Sequence, residues 1–138
     1  MPSLFSRIIA RGIPAYIVAE DEQHIAFLDI NPNALGHTLC VPKKEVDKLF
    51  DLSVSDYQDL MMFSRSVAGA LNQVVYCSRI GLWVIGLEVP HVHVHLIPLN
   101  NMIDATFKKK ISPSKEEICL LYTSDAADEG LGVDLGGR

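Results

Sequence analysis

The segment His91-Val92-His93-Val94-His95 constrains this chain more than any other stretch. In extended backbone successive side chains point to opposite faces, so His91, His93 and His95 share one face while Val92, Val94 and Leu96 share the other. The chain has five histidines, and three fall in this one alternation, which sets it apart from scattered surface or core histidines. Two chemistries suit a row of imidazoles. It can ligate a transition metal, with a carboxylate from another element, Asp29 or Glu88, completing the set. Alternatively, one neutral imidazole acts as a nucleophile toward phosphorus, a second group protonates the leaving atom, and the others fix tautomer and charge.

The rest of the chain supplies a small α+β frame for that strand. Leu4, Phe5, Ile8 and Ile9 recur at helical spacing, and Gly12-Ile13-Pro14 ends the helix they predict. Tyr16-Ile17-Val18, His24–Ile30 and Thr38–Val41, closed by Pro42, read as three successive antiparallel strands. Ser53 and Asp56 resemble a capping box, followed by Leu60, Phe63, Val67, Leu71 and Val74 at three- and four-residue steps, which predicts one long helix. Arg79–Ile85 and His91–Ile97 read as two further strands, and Ser112 is expected to cap a last helix with Pro113 at its first position.

Composition narrows the function classes. With 138 residues, 49% of them hydrophobic and 21% charged, the chain suits one domain with a real core. A net charge of −5 and a pI near 5.4 argue against a broad nucleic-acid surface but not against a small nucleotide ligand. No apolar run approaches membrane-spanning length, and the opening residues lack the pattern of a secretory signal. Three cysteines, Cys40, Cys77 and Cys119, form no CxxC pair, so neither a disulfide scaffold nor a structural zinc site is expected and a cytoplasmic setting is.

Residues 119–138 differ in kind from the rest. They hold four of the nine glycines and four acids against one base, with no period suited to a buried face. Cys119–Glu129 resembles the translation of a transposase adapter from short-read sequencing libraries, and Gly132–Arg138 that of the flow-cell primer that follows it. The expected division is therefore a domain over 1–118, truncated at its C-terminal helix, and a disordered adapter-derived tail over 119–138.

The residues 3–118 as a whole resemble the histidine triad (HIT) superfamily, in particular its small Hint-like bacterial branch. The triad pattern stands intact as His91 through Ile97. Phe5-Ser-Arg-Ile-Ile-Ala-Arg-Gly-Ile-Pro14, Ala26-Phe-Leu-Asp-Ile-Asn-Pro32 and Gly36-His-Thr-Leu-Cys-Val-Pro-Lys-Lys44 support it in the right order. The resemblance implies a HIT-like fold: a five-stranded antiparallel sheet with one long helix and short terminal helices. It implies a nucleotidyl hydrolase or transferase that cleaves at the α-phosphate of nucleoside 5′-phosphoramidates or related adenylylated compounds through a covalent nucleotidyl-histidine. His93 would be the nucleophile, His95 would sit by the phosphate and leaving group, His91 would orient the site, and His37 would be a fourth network histidine. Asp29 would bind the ribose hydroxyls. Ile30, Phe27, Leu4, Phe5, Ile8 and Ile13 would line the base pocket, and Glu88 and Val89 would also belong to the nucleotide-binding set. No cofactor or metal is implied. The expected ligand is a purine nucleotide, with no nucleic acid or membrane partner, and a homodimer pairing through the edge strand Arg79–Ile85.

Several positions depart from that pattern. Leu87 stands where relatives carry an amide, Glu88 where they carry a hydroxyl or another polar group, and Glu45 where many carry a histidine. Lys43-Lys44 and Lys108-Lys109-Lys110 have the charge to attract phosphate, but they read better as solvated faces. A dinucleoside polyphosphate hydrolase of the same superfamily and a non-catalytic nucleotide- or metal-binding module stay open beside the leading reading. Long-read resequencing of the locus is expected to replace residues 119–138 with a different continuation; recovery of the same tail from the chromosome would reject the adapter origin.

Overall fold

Alternating strands and one long amphipathic helix have to bury two apolar surfaces, and this chain does so by placing the sheet between two hydrophobic clusters. The structure, a computed structural model, describes residues 3–117. Its elements are helix α1 (Leu4–Ile9), strands β1 (Ile17–Glu20), β2 (His24–Leu28) and β3 (Thr38–Pro42), helix α2 (Val54–Val74), and strands β4 (Arg79–Trp83) and β5 (Val94–Leu99). All strand pairs are antiparallel, in the order β1-β2-β3-β5-β4. The α+β class and the five-stranded sheet are as the sequence predicts. The domain limit at 118, the adapter-like tail and the body of any last helix lie outside the described residues.

Helix α2 begins where Ser53 Oγ accepts the Asp56 N–H at 3.0 Å, and Leu60, Phe63, Val67 and Leu71 form its buried stripe. They pack on Ala26, Cys40, Val92, Val94 and Leu96 from one side of the sheet. On the other side Phe5 and Ile8 of α1 pack on Ile25, Phe27, Leu39 and Val41. The alternation along β2 and β3 thus feeds both clusters, and every residue of these two strands is buried. Among the described residues no helix is long and apolar enough to cross a membrane.

Element boundaries shift from the sequence reading where side chains intervene. β1 runs from Ile17 to Glu20, one residue later at its start than Tyr16. β2 stops at Leu28, because Asp29 folds back to accept the Asn31 N–H at 2.8 Å. β4 stops at Trp83 rather than Ile85. β5 begins at Val94 rather than His91, since the His91 N–H is given to Val89 O and the Val92 N–H to Val46 O. The alternation survives this displacement: Val92 and Val94 join the α2 cluster while His93 faces away from it. Helix α1 ends at Ile9, with Arg11 rather than a glycine in the left-handed region at φ 64°. The last helical turn is capped by Ser114 instead of Ser112. Ser114 Oγ accepts the Glu117 N–H at 3.0 Å while Glu117 Oε1 accepts the Ser114 N–H at 2.9 Å, which leaves Pro113 ahead of the helix.

One glycine governs the entry into β3. Gly36 sits at φ +97°, and a Cβ there would meet Val75 Cγ2 at 2.9 Å. Gly36→Ala is expected to lower stability by about 1–3 kcal/mol, read as a lower urea midpoint, because both backbone strain and a packed contact oppose it. An unchanged midpoint would reject that account of the turn.

Candidate active site

Six segments meet on the face of β5 opposite α2. The turn after β2 brings Asp29 and Asn31, and the start of β3 brings His37 and Leu39. The β5 approach brings His91, His93 and His95. Helix α1 brings Leu4 and Phe5. The loop after β4 and the segment after β5 close the sides. Together they enclose a cleft of about 480 Å³. Cross-strand pairing sets its floor, since His95 lies opposite Leu39 on β3 and Trp83 on β4.

Hydrogen-bond partners determine the proton positions. The Asn33 N–H donates to His37 Nδ1 at 2.9 Å, so a neutral His37 carries its proton on Nε2. That N–H points at His95 Nδ1, 2.9 Å away, which in turn leaves the His95 proton on Nε2. His93 behaves oppositely: its Nδ1 lies 2.8 Å from the His91 carbonyl, which can only accept, so Nδ1 carries the proton and Nε2 keeps its lone pair. His91, fully buried, reaches Pro42 O through Nε2 at 2.7 Å and Ser3 Oγ through Nδ1 at 2.8 Å. Ser3 and Ser6 are held in turn by Glu45, whose Oε1 accepts the Ser3 N–H at 2.9 Å and the Ser6 hydroxyl.

The electrostatics support neutral rings. Burial, reinforced by the His95 and Lys110 charges, drives the His37 pKa down to about 3. Burial, then His93 and Lys110, brings His95 to about 4. Burial also lowers His93, against its bond to the His91 carbonyl. Asp29 is shifted upward by burial, opposed by the Asn31 N–H and by Lys110. His37 Nε2 lies 3.6 Å from Asp29 Oδ2, and with His37 neutral this contact is dipolar rather than an ion pair.

Of the residues singled out from sequence, Leu4, Phe5, Asp29, Glu88, Val89, His93 and His95 line the cleft. His37 and His91 stand one layer behind it, each bonded to its network. Phe27 is buried beneath Phe5, ring centroids 5.6 Å apart, while Ile8 and Ile13 pack into the α1 cluster. Ile30 is 78% exposed and does not reach the cleft. Sequence reasoning missed Asn31, Leu39, Ile85, Phe107 and Lys110 as lining residues and Asn33 as the group that orients His37. Leu39 was signalled by its alternation with Thr38, and Ile85 by its place beside Leu87. Lys110 is exposed like Lys108 and Lys109, yet it also lines the cleft, where its Nζ donates to Asn33 Oδ1 at 2.7 Å.

Asp29, His37 and His95 each offer a ligand atom within 4.8 Å of the others. The existing bonds oppose a metal there. Asn33 holds the proton on His37 Nε2, the nitrogen that faces the other two ligands, and His95 Nδ1 already accepts it. A cation would have to break both bonds and leave the Asn33 N–H facing a second donor.

Comparison with known proteins places this geometry. Residues 10–102 match the model of the HIT domain. An uncharacterized HIT-like protein of Methanocaldococcus jannaschii is 41% identical over 105 residues, covering 69% of this chain and 77% of that protein. The adenosine 5′-monophosphoramidase of Saccharomyces cerevisiae is 36% identical over 96 residues, covering 69% of this chain and 61% of the yeast protein. The crystal structure of a Hit-like protein from Bartonella henselae superimposes with a TM-score of 0.77 at 27% identity, covering 91% of this chain and 94% of that one. A HIT-domain match over most of the sequence, on a five-stranded sheet that brings the three histidines together with a fourth, means that this chain belongs to the HIT family.

Proposed function

We propose that the cleft is the active site of a nucleotidyl hydrolase that cleaves nucleoside 5′-phosphoramidates or related adenylylated compounds at the α-phosphorus. The observation that carries this reading is the pairing of opposite tautomers: His93 keeps a lone pair on Nε2 while His95, beside it at a centroid distance of 4.8 Å, keeps a proton on Nε2. One ring is ready to attack and its neighbour to donate. His93 Nε2 forms a bond to phosphorus as the bond to the leaving group breaks; the electron pair stays on the leaving atom, which takes up a proton from solvent, so that a phosphoramidate releases its neutral amine. The His95 N–H hydrogen-bonds to the developing charge. Water then attacks the same phosphorus as the N–P bond breaks, the electron pair returns to His93 Nε2, the water gives up a proton to solvent, and the nucleotide is released. The His91 carbonyl accepts from Nδ1 throughout, favouring the cationic ring of the intermediate. The Asp29 carboxylate is the acceptor for ribose hydroxyls, and Leu4, Phe5, Leu39 and Val89 offer apolar contact to a purine. The name of the yeast relative, an adenosine 5′-monophosphoramidase, supports this substrate class.

Three measurements check the proposal. AMP release from adenosine 5′-phosphoramidate is expected for the wild type and to fall on the order of a thousandfold or more in His93→Ala. Faster release from diadenosine polyphosphates would move the assignment to that hydrolase class, and a folded protein that binds AMP without releasing it from either would make it a binding module. The nucleophile must be neutral and its pKa is depressed by burial, so kcat/KM should hold constant down through pH 6.5 and decline only at more acidic pH. A decline beginning well above pH 6.5 would contradict a buried neutral His93. The proposal also includes a cytoplasmic homodimer that pairs along β4, an edge strand carrying the half-exposed Leu82. Light scattering should then give twice the 15.2 kDa chain mass.

A further inference from the structure

The charges lining the cleft do not suit a phosphate unless one residue reverses them. Asp29 and Glu88 are both acids. The imidazoles are held neutral, and Leu87, on the same rim, has no donor on its side chain. A phosphoryl group carried into this cleft meets two carboxylates. Among the described lining residues there is a single side-chain cation, Lys110.

Lys110 is held in place. Its Nζ gives one N–H to Asn33 Oδ1 at 2.7 Å and sits 4.9 Å from the centroid of the Phe107 ring. An ammonium has three donors, and Asn33 takes one. The segment that carries it is pinned at both ends of the turn. The Ile111 N–H donates to Pro32 O at 3.0 Å, and Phe107, at φ +61°, turns its ring to within 5.1 Å of His95. A bulky aromatic residue seldom adopts that backbone conformation, so tertiary contacts hold this one there. Asn33 itself is buried, donates through Nδ2 to Asp104 O at 2.9 Å, and is the residue whose backbone N–H orients His37. One asparagine therefore ties the cation to the histidine relay. The Lys110 charge is felt by Asp29, His37 and His95 alike, which places it within range of the reacting centre.

We propose that Lys110 is the phosphate anchor of this site: held between Asn33 and Phe107, its ammonium binds the phosphoryl oxygens of the bound nucleotide and offsets the carboxylates of Asp29 and Glu88. This rests on the nucleotide reading given above. The anchor acts on the phosphate and not on the nucleoside, and that separates it from a purely structural clamp.

Calorimetric titration of AMP and of adenosine, the same ligand without phosphate, tests it in the full-length protein. Lys110→Met is expected to weaken AMP binding roughly ten- to a hundredfold, the range of a lost charge-assisted hydrogen bond, while adenosine affinity stays as in the wild type. Lys110→Arg should recover most of the loss, Lys110→Gln little of it, and Lys108→Met should match the wild type. Unchanged AMP affinity in Lys110→Met overturns the anchor and leaves the nucleotide reading standing. Equal losses for AMP and adenosine also overturn it, making Lys110 a clamp on the Phe107 segment. A wild type that binds neither ligand removes the nucleotide reading itself, and the anchor with it.

Discussion

A neutral imidazole has one proton to place on two nitrogens, and in this protein the backbone decides where it goes. The His91 carbonyl takes the proton of His93 at Nδ1, and the Asn33 amide denies one to His37 at the same atom. From these two contacts the rest follows: His93 presents a lone pair, and His37 hands its N–H to His95, which then presents a proton. Burial makes the arrangement binding, because desolvation penalises the doubly protonated rings that would blur it. The carbonyl and the amide are main-chain groups in a packed frame, so the tautomers are as rigid as the fold.

That rigidity explains why the sheet is built as it is. Pro42 offers no N–H, and its carbonyl accepts from the His91 ring, so β5 joins β3 only from Val94 onward. The released stretch, His91 to His93, is what allows the His91 carbonyl to turn toward its own second neighbour. A longer regular ladder would have used that carbonyl in strand pairing. Glu45 extends the same network to α1, holding Ser3 and Ser6 over His91 and thereby bringing Phe5 against His93, with ring centroids 4.8 Å apart. Helix α1 is a short element with few internal bonds, and the polar network fastens it to the site it walls.

The two sides of the cleft have different characters. Leu4, Phe5, Leu39 and Val89 form an apolar side next to the α1 cluster, whereas Asp29, Lys110 and Glu88 put charge on the others. Phe107 packs edge-on against His95, ring centroids 5.1 Å apart, on the side where Lys110 approaches. The segment around it departs from easy backbone geometry, and such departures persist only where surrounding contacts over-determine them.

Much of this was legible in the chain alone, and the reason is periodicity. Alternation at His91–Leu96 put the imidazoles opposite an apolar face, the three- and four-residue spacing from Leu60 to Leu71 marked α2, and Ser53 marked its start. The motif blocks pointed to the HIT family, which the comparisons bear out. Each of those signals is local, spanning a few residues whose spacing the backbone geometry translates directly into a face or a cap. Contacts between distant segments left no such trace. Nothing near Lys110 announces that it meets Asn33, 77 residues away, nor does anything near Ile30 announce that the Asp29 turn leaves it in solvent. The sequence by itself determined which residue types share a face and hence the kind of chemistry available. Only the tertiary structure decided which nitrogen of each ring carries the proton and which lysine reaches the cleft, because both depend on hydrogen bonds that form after the segments have packed.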